Sequence, residues 1–344
     1  MTQEMGIAVI GAGYWGPNLI RNFDKADGWD LRWVCDLDQE RARRVLGRRS
    51  CVSVTDTLAD VLDDDLVQAV AIATPPGTHA PLAIEALDAG RHVLVEKPLA
   101  SSVADGTKMV EVAADRGLVL MCDHTYCYTP AVRYLQEMIG AGGIGKIQYV
   151  DSVRINLGLV QSDTDVFWDL APHDLSILDF VLPDEARITG VSAAGADPIG
   201  AGQSCVGYLT LPLLSGGIAH IHLNWLSPTK IRQTIFGGSE RMVVWDDLNP
   251  SQRLSMYDKG VEMVGPTPTD RRRAALISYR TGDMVAPALP EKEALEGVVA
   301  EFRAAIAERR PPLTDGSAGL RVLRVLEAAG ASLRKGGATV ELVD

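Results

Sequence analysis

The stretch "IAVIGAGYWGPN" (residues 7–18) decides the fold. An apolar run enters Gly11, Gly13 and Gly16, spaced G-x-G-x-x-G, and a helical stretch follows. Glycines at such a strand-to-helix turn allow a tight bend and let the backbone approach a pyrophosphate. The helix N-terminus then offers it free N–H groups and the positive end of a dipole. Twenty residues on, Asp36 closes "LRWVCD" (31–36). A carboxylate there can bind both hydroxyls of an adenosine ribose and repels a 2′-phosphate, so the pattern favours NAD over NADP. The plain alternative is an ordinary strand-to-helix turn with Asp36 as a cap.

Outward from this loop, the first 124 residues alternate apolar runs with helical stretches. The runs are 7–11, 31–36, 69–74, 92–96 and 118–123. They are continuous rather than alternating, as strands buried on both faces of a parallel sheet are. A helix over 78–89 is closed by Gly90. Repeated β-α units predict a doubly wound Rossmann sheet over residues 1–124. After residue 124 the texture changes. Helices are expected at 130–139 and around 169–182, and 146–156 follows the first of them. Strands are expected at 186–194, 203–211, 217–225, 230–236 and 240–245, separated by Gly, Pro and Ser turns. Residues 258–292 read as a long loop, and 293–309 and 316–335 as helices. The segment 125–344 is thus predicted to be an α+β domain with a large, mostly antiparallel open sheet, whose open face would bind a substrate or another subunit.

Bulk composition narrows the partners. With 344 residues the chain is long enough for two domains. A formal net charge of −12 disfavours nucleic acid and anionic membrane surfaces. There is no apolar run of about 18 residues and no basic leader ahead of the first strand, which predicts a cytoplasmic chain without a membrane span. The five cysteines form no C-x-x-C pair and are expected to be reduced thiols, with no disulfide framework and no metal site.

Four further stretches carry chemistry. "AIATPPGTHA" puts Thr74, Pro75 and Pro76 at and just beyond the end of the run 69–74, where they would line the dinucleotide crevice. His79 reads as a helix-start residue and is counted with the cofactor contacts, as are Tyr14 and Trp15 of the glycine loop. "VLVEKPLA" (93–100) ends an apolar strand in Glu96 and Lys97, and Pro98 fixes the backbone behind the amine. An ammonium at the carboxyl end of such a strand can hydrogen-bond a substrate hydroxyl. Glu96 would hold the cofactor end of the site or pair with Lys97, and a cis Lys97–Pro98 bond is possible. "WDLAPHDLS" sets Asp169 and His173 four apart, on one helix face, with Pro172 suggesting an early helix position. A histidine can take an alcohol proton while hydride leaves the same carbon, and an aspartate beside it can orient the ring. "DHTYCY" offers His124 to the cofactor and Tyr126 to a substrate. Arg154, Asn156, Trp168, Asn224, Trp225 and Lys230 are further candidates for sugar hydroxyls and C–H faces, though each alone is more often structural. His220 and His222 alternate on a strand, lack a third ligand and read as sheet-face histidines. "RRR" (271–273) reads as solvated surface.

Taken together, these motifs resemble the glucose–fructose oxidoreductase/inositol dehydrogenase (Gfo/Idh/MocA) family over essentially the whole chain. The resemblance rests on the glycine loop, T-P-P, E-K-P and D-x-x-x-H, in that order. It implies an NAD-dependent oxidoreductase acting on CH–OH groups, a homo-oligomer (dimer or tetramer), and catalytic roles for Lys97, Asp169 and His173. Two positions depart from the family's D-x-G-x-H-x-x-D: Ala171 replaces the glycine and Ser176 the last acid. Asp174 is left as a possible ligand contact. The resemblance implies a sugar or sugar derivative as substrate. Clustered Asp163, Asp165, Asp169 and Asp174 would suit a cationic amino-glycoside, whereas Arg154, Lys230 and Arg232 would suit a nucleotide-linked sugar. Two further readings are a regulator that binds NAD without turnover and a reductase of a non-sugar carbonyl or conjugated double bond.

Overall fold

The computed structural model describes residues 4–47, 51–161, 164–264 and 276–342. They form two compact units, Met1–Thr129 with Lys292–Glu327, and Pro130–Glu291 with Ala328–Asp344.

The first unit alternates strands and helices: β1 (Met5–Ile10), α1 (Gly16–Lys25), β2 (Trp29–Cys35), α2 (Gln39–Leu46), β3 (Ser53–Thr55), α3 (Leu58–Leu62), β4 (Val67–Ile72), α4 (His79–Asp88), β5 (His92–Glu96), α5 (Val103–Asp115) and β6 (Leu120–Asp123). The six strands lie in the order β3-β2-β1-β4-β5-β6, all parallel. The continuous apolar runs are explained by burial on both faces: Ile7, Ala8, Val9, Val70, Ala71 and Val95 are fully inaccessible. Strand order reverses between β1 and β4, and such a switch point opens a crevice beyond the strands' carboxyl ends.

The second unit comprises α6 (Pro130–Gly140), β7 (Ile147–Leu157), α7 (Val166–Val181), β8 (Gly190–Ala196), β9 (Val206–Pro212), β10 (Ile218–Asn224), β11 (Leu226–Gly238), β12 (Met242–Asp246), β13 (Leu254–Val264) and β14 (Leu276–Val285). Helices α8 (Ala294–Glu308) and α9 (Gly316–Arg334) and the short β15 (Val340–Glu341) close the chain. Its sheet has nine strands in the order β14-β13-β12-β11-β7-β10-β9-β8-β15. All pairs are antiparallel except β7 with β10. Helix α7 lies against β9 and β10. Phe167 is seated over bare backbone there, and a Cβ at Gly207 would run into its ring.

Two features differ from the sequence reading. Residues 258–292 are not one long loop, because β13 and β14 pair across much of that range. Gly260 sits opposite Arg280, whose guanidinium pairs with Asp258 at 2.9 Å. A charged, glycine-bearing strand suits the margin of a sheet, where composition alone resembles loop. The RRR triplet and Asp163 lie outside the described residues. The second difference concerns residues 292–327, which belong to the first unit, whereas a single cut at 124/125 leaves them in the second. Helix α8 buries Val298, Val299 and Phe302 completely. The Trp29 indole stacks on Phe302 at 5.6 Å and donates to the Val299 carbonyl at 3.2 Å. Thr314 both donates to and accepts from the Cys122 backbone. Periodicity marks α8 as having a buried face but not which core receives it. Among the described residues no helix is long and apolar enough to cross a membrane, and no group of three His, Cys, Asp or Glu side chains could hold a metal.

Candidate active site

Each glycine of the loop after β1 has its own steric reason. Gly11 has φ +98°, and a Cβ there would lie 2.7 Å from the Ala73 carbonyl oxygen. A Cβ at Gly16 would collide with the Gly11 carbonyl, so α1 packs hard against the loop. A Cβ at Gly13 would meet nothing within 4 Å. That is the open approach a pyrophosphate needs, and α1 begins beside it with no side-chain cap on its N–H groups. The residues present therefore fit a dinucleotide. Tyr14 is 92 % exposed and Trp15 half-buried.

Asp36, 8 % exposed, stands one residue beyond β2. Its Oδ2 accepts the Ala12 N–H at 2.6 Å; its Oδ1 accepts the Asp38 N–H and the Arg41 guanidinium, both at 2.8 Å. Burial alone would raise its carboxyl, but Arg41 and the two N–H groups outweigh burial and hold it below the usual carboxylate range. Asp36 thus pins the glycine loop. Arg41, not foreseen from the sequence, puts a half-exposed cation beside it.

Thr74 and Pro76 are half-buried and Pro75 exposed at the mouth of β4. His79 requires a correction. It is completely buried, with Nδ1 2.9 Å from the Pro98 carbonyl and Nε2 2.8 Å from the Thr74 carbonyl. Its ring ties the loop after β4 to the turn after β5, so no ring nitrogen is left for a cofactor. Burial moves its imidazole below the ordinary value.

Lys97 is half-buried at the end of β5, and the Lys97–Pro98 bond is cis. The Lys97 N–H donates to Glu96 Oε2 at 3.1 Å. Glu96 sits in register with Asp123 at the end of β6, a residue the sequence reading did not single out. The signal was present: Asp36, Glu96 and Asp123 are all acids closing apolar strands on the same edge. Burial raises both Glu96 and Asp123 from their ordinary values, Glu96 well above, and the charge of Asp123 adds to this for Glu96. His124 is 2 % exposed, with neither ring nitrogen hydrogen-bonded, and burial pushes its imidazole down to about 3. Orphaned buried nitrogens at this edge are what an arriving polar ligand would satisfy. Tyr126 is half-buried two residues on.

In the second unit, Asp165 caps α7 by accepting the Phe167 and Trp168 N–H groups, both at 3.0 Å. The helix starts at Val166, so Pro172 is interior rather than early. Asp169 and His173 stand one turn apart, both half-buried, as is Trp168. The Trp225 indole N–H donates to Asp169 Oδ2 at 3.0 Å. Trp225 is 1 % exposed, so it anchors a carboxylate instead of offering a face to a sugar.

Arg154 and Asp174 also require correction as ligand contacts. They are 3 % and 2 % exposed and face each other, Nε to Oδ2 at 2.6 Å. Ser152 donates to Asp174 at 2.8 Å and lies 3.0 Å from the Thr234 hydroxyl. This buried network ties α7 to β7 and β11. Asn156 is half-buried; Asn224 is half-buried and accepts the Leu226 N–H at 2.6 Å; Lys230 is exposed; Arg232 pairs with Asp247 at 3.5 Å. His220 and His222 stack on Tyr208 at 5.8 and 4.5 Å. The acidic cluster also thins out, since Asp165 serves as a cap and Asp174 is neutralised.

Residues 5–124 match the family model described as an oxidoreductase family with an NAD-binding Rossmann fold, GFO_IDH_MocA. This segment is similar to the NAD-binding unit of the Gfo/Idh/MocA oxidoreductases. Among curated relatives, a UDP-N-acetylglucosamine 3-dehydrogenase of Acidithiobacillus ferrooxidans is 29 % identical over 93 % of this chain and 94 % of its own. Its solved structure superposes with a TM-score of 0.79 at 25 % identity, covering 96 % of this chain and 98 % of that one. GenD2 from gentamicin A biosynthesis, solved in complex with NAD, gives 0.82 at 25 % identity over 100 % and 98 %.

Proposed function

We propose that this protein oxidises a secondary hydroxyl of a sugar or sugar derivative with NAD, or runs the reverse reduction of a keto-sugar. His173 accepts the hydroxyl proton, Lys97 hydrogen-bonds the oxygen and offsets its developing negative charge, and Asp169 orients the imidazole. The bound nicotinamide supplies the hydride acceptor. The observation that carries this reading is the Trp225 indole held on Asp169 one helical turn before His173. A carboxylate fixed by a buried donor is what an acid–base histidine needs as its orienting partner. The sugar class is supported by likeness to a UDP-N-acetylglucosamine 3-dehydrogenase. Tyr126, Asn156, Trp168, Asn224 and Lys230 are the polar and aromatic groups assigned to substrate. The preference for NAD rests on Asp36, tempered by Arg41, which a 2′-phosphate would also meet. The exposed Tyr208, Ile218 and Ile231 of the second unit's sheet suit self-association as a dimer or tetramer.

A cationic glycoside is the second reading, supported by likeness to a protein of gentamicin A biosynthesis over the whole chain. The test is a panel of polyols, nucleotide-linked sugars and amino-glycosides, scored by absorbance of reduced nicotinamide. Turnover confined to non-sugar carbonyls would overturn the sugar assignment. A Michaelis constant that rises with ionic strength would mark the cationic substrate.

A further inference from the structure

At the carboxyl edge of the first unit's sheet, β5 and β6 end in Glu96 and Asp123, side by side in parallel register and 8 % and 1 % exposed. Burial raises both carboxyls, and two acids side by side at such burial cannot both ionise without a large cost, so they hold one proton between them. One oxygen of each already has a donor. Glu96 Oε2 accepts the Lys97 N–H, and Asp123 Oδ1 accepts the Thr125 hydroxyl at 2.7 Å. Glu96 Oε1 and Asp123 Oδ2 are both buried without a direct hydrogen-bond partner, with the Trp15 indole of the glycine loop also acting on Asp123, so the shared proton belongs between them. The neighbouring titratable groups are Lys97, the buried Cys122 thiol, and His124, on which Arg321 of α9 also acts. Burial keeps the thiol and the imidazole neutral.

Open α/β sheets bind dinucleotides across the switch point, half on either side. With the adenosine ribose at Asp36 beyond β2, the nicotinamide half falls toward β4, β5 and β6. That ring is cationic when oxidised and neutral when reduced. We propose that Glu96 and Asp123 act as one unit bearing a single negative charge toward the nicotinamide, and so bias the protein toward the oxidised cofactor. The inference rests on the proposed NAD binding and needs no particular substrate. Even 10 Å away, a unit charge at an effective dielectric of about 20 is worth on the order of tenfold in an equilibrium constant.

The test is the ratio of dissociation constants for NADH and NAD⁺, measured without substrate by nicotinamide fluorescence and calorimetry. The proteins are wild type, Glu96→Gln, Asp123→Asn and the double variant. A single amide replaces the protonated partner and leaves one charge, so each single variant should keep the ratio within about twofold. The double variant has no charge, and its ratio should shift about tenfold toward NADH. A stepwise shift across the series would mean two charges, and an unchanged double variant would mean none; either overturns the proposal. A second readout needs no double variant. The wild-type infrared spectrum at neutral pH should carry one protonated-carboxyl band that both single variants lose. Retention of that band in either single variant, or its absence from the wild type, overturns the proposal as well.

Discussion

Trp225→Phe isolates the hydrogen bond on which the acid–base reading depends. Phenylalanine keeps an aromatic ring at a site that is 1 % exposed but removes the N–H that reaches Asp169 at 3.0 Å. A hydrogen bond to a charged group contributes about 1.5–3 kcal/mol, and the smaller ring forfeits about 1 kcal/mol of packing. Unfolding free energy should therefore fall by about 2–4 kcal/mol, read as a lower denaturant midpoint at constant slope. Catalysis should respond separately. A carboxylate free to swing no longer fixes the imidazole of His173, and misplacement of a reacting group by about 1 Å costs on the order of 10²-fold. Turnover should drop about 10- to 100-fold while NAD affinity stays within twofold, because the glycine loop and Asp36 belong to another part of the chain. The assay is single-turnover hydride transfer beside a NAD titration. Wild-type turnover in a variant that has lost the expected stability would refute the reasoning: the indole would then be a structural strut, and Asp169 would not need to be held.

Lys97→Ala and His173→Ala should each lower turnover by roughly 10²-fold or more with NAD affinity nearly intact, measured by steady-state kinetics and calorimetry. Asp36→Ala should narrow the preference for NAD over NADP; equal affinity of the wild type for both would remove the basis for that expectation. Asp36 also makes stability depend on pH. Its folded carboxyl is held below its unfolded value of about 3.9, so its contribution is complete above that pH and is lost as pH falls through the folded value. Asp36→Asn should accordingly be less stable than wild type at pH 7, and the gap should close in acid. Asp174→Ala strands the buried Arg154 charge and should cost about 3–5 kcal/mol of stability, whereas a ligand contact would instead raise the Michaelis constant.

Local chemistry made most of the first unit readable from the sequence. Continuous apolar runs, a glycine loop and acids at strand ends are short-range signals, and the strands fall close to where those runs do. The long-range pairings were not readable. Arg154 and Asp174 are twenty residues apart and each resembles a ligand contact until their mutual burial is known. His79 carried two polar nitrogens that a sequence reading cannot distinguish from a site group; its carbonyl partners lie on two different turns. Asp123 was overlooked because a lone acid after "LVLMC" has no motif, and its meaning comes only from parallel register with Glu96. Trp225 was noticed for the wrong property, its ring face rather than its N–H.

The assignment of residues 292–327 to the first unit bears on how the chain is made. Trp29 emerges from the ribosome more than 250 residues before its stacking partner Phe302, and Cys122 nearly 200 before Thr314. Until then the nascent Rossmann sheet lacks the apolar cover that α8 provides. Contacts of such sequence separation slow folding and leave a half-finished surface exposed. The first 129 residues alone are therefore a poor stand-in for the cofactor unit. A chain stopped at residue 291 should be captured by chaperones or aggregate, even though every strand of the first sheet is already present in it.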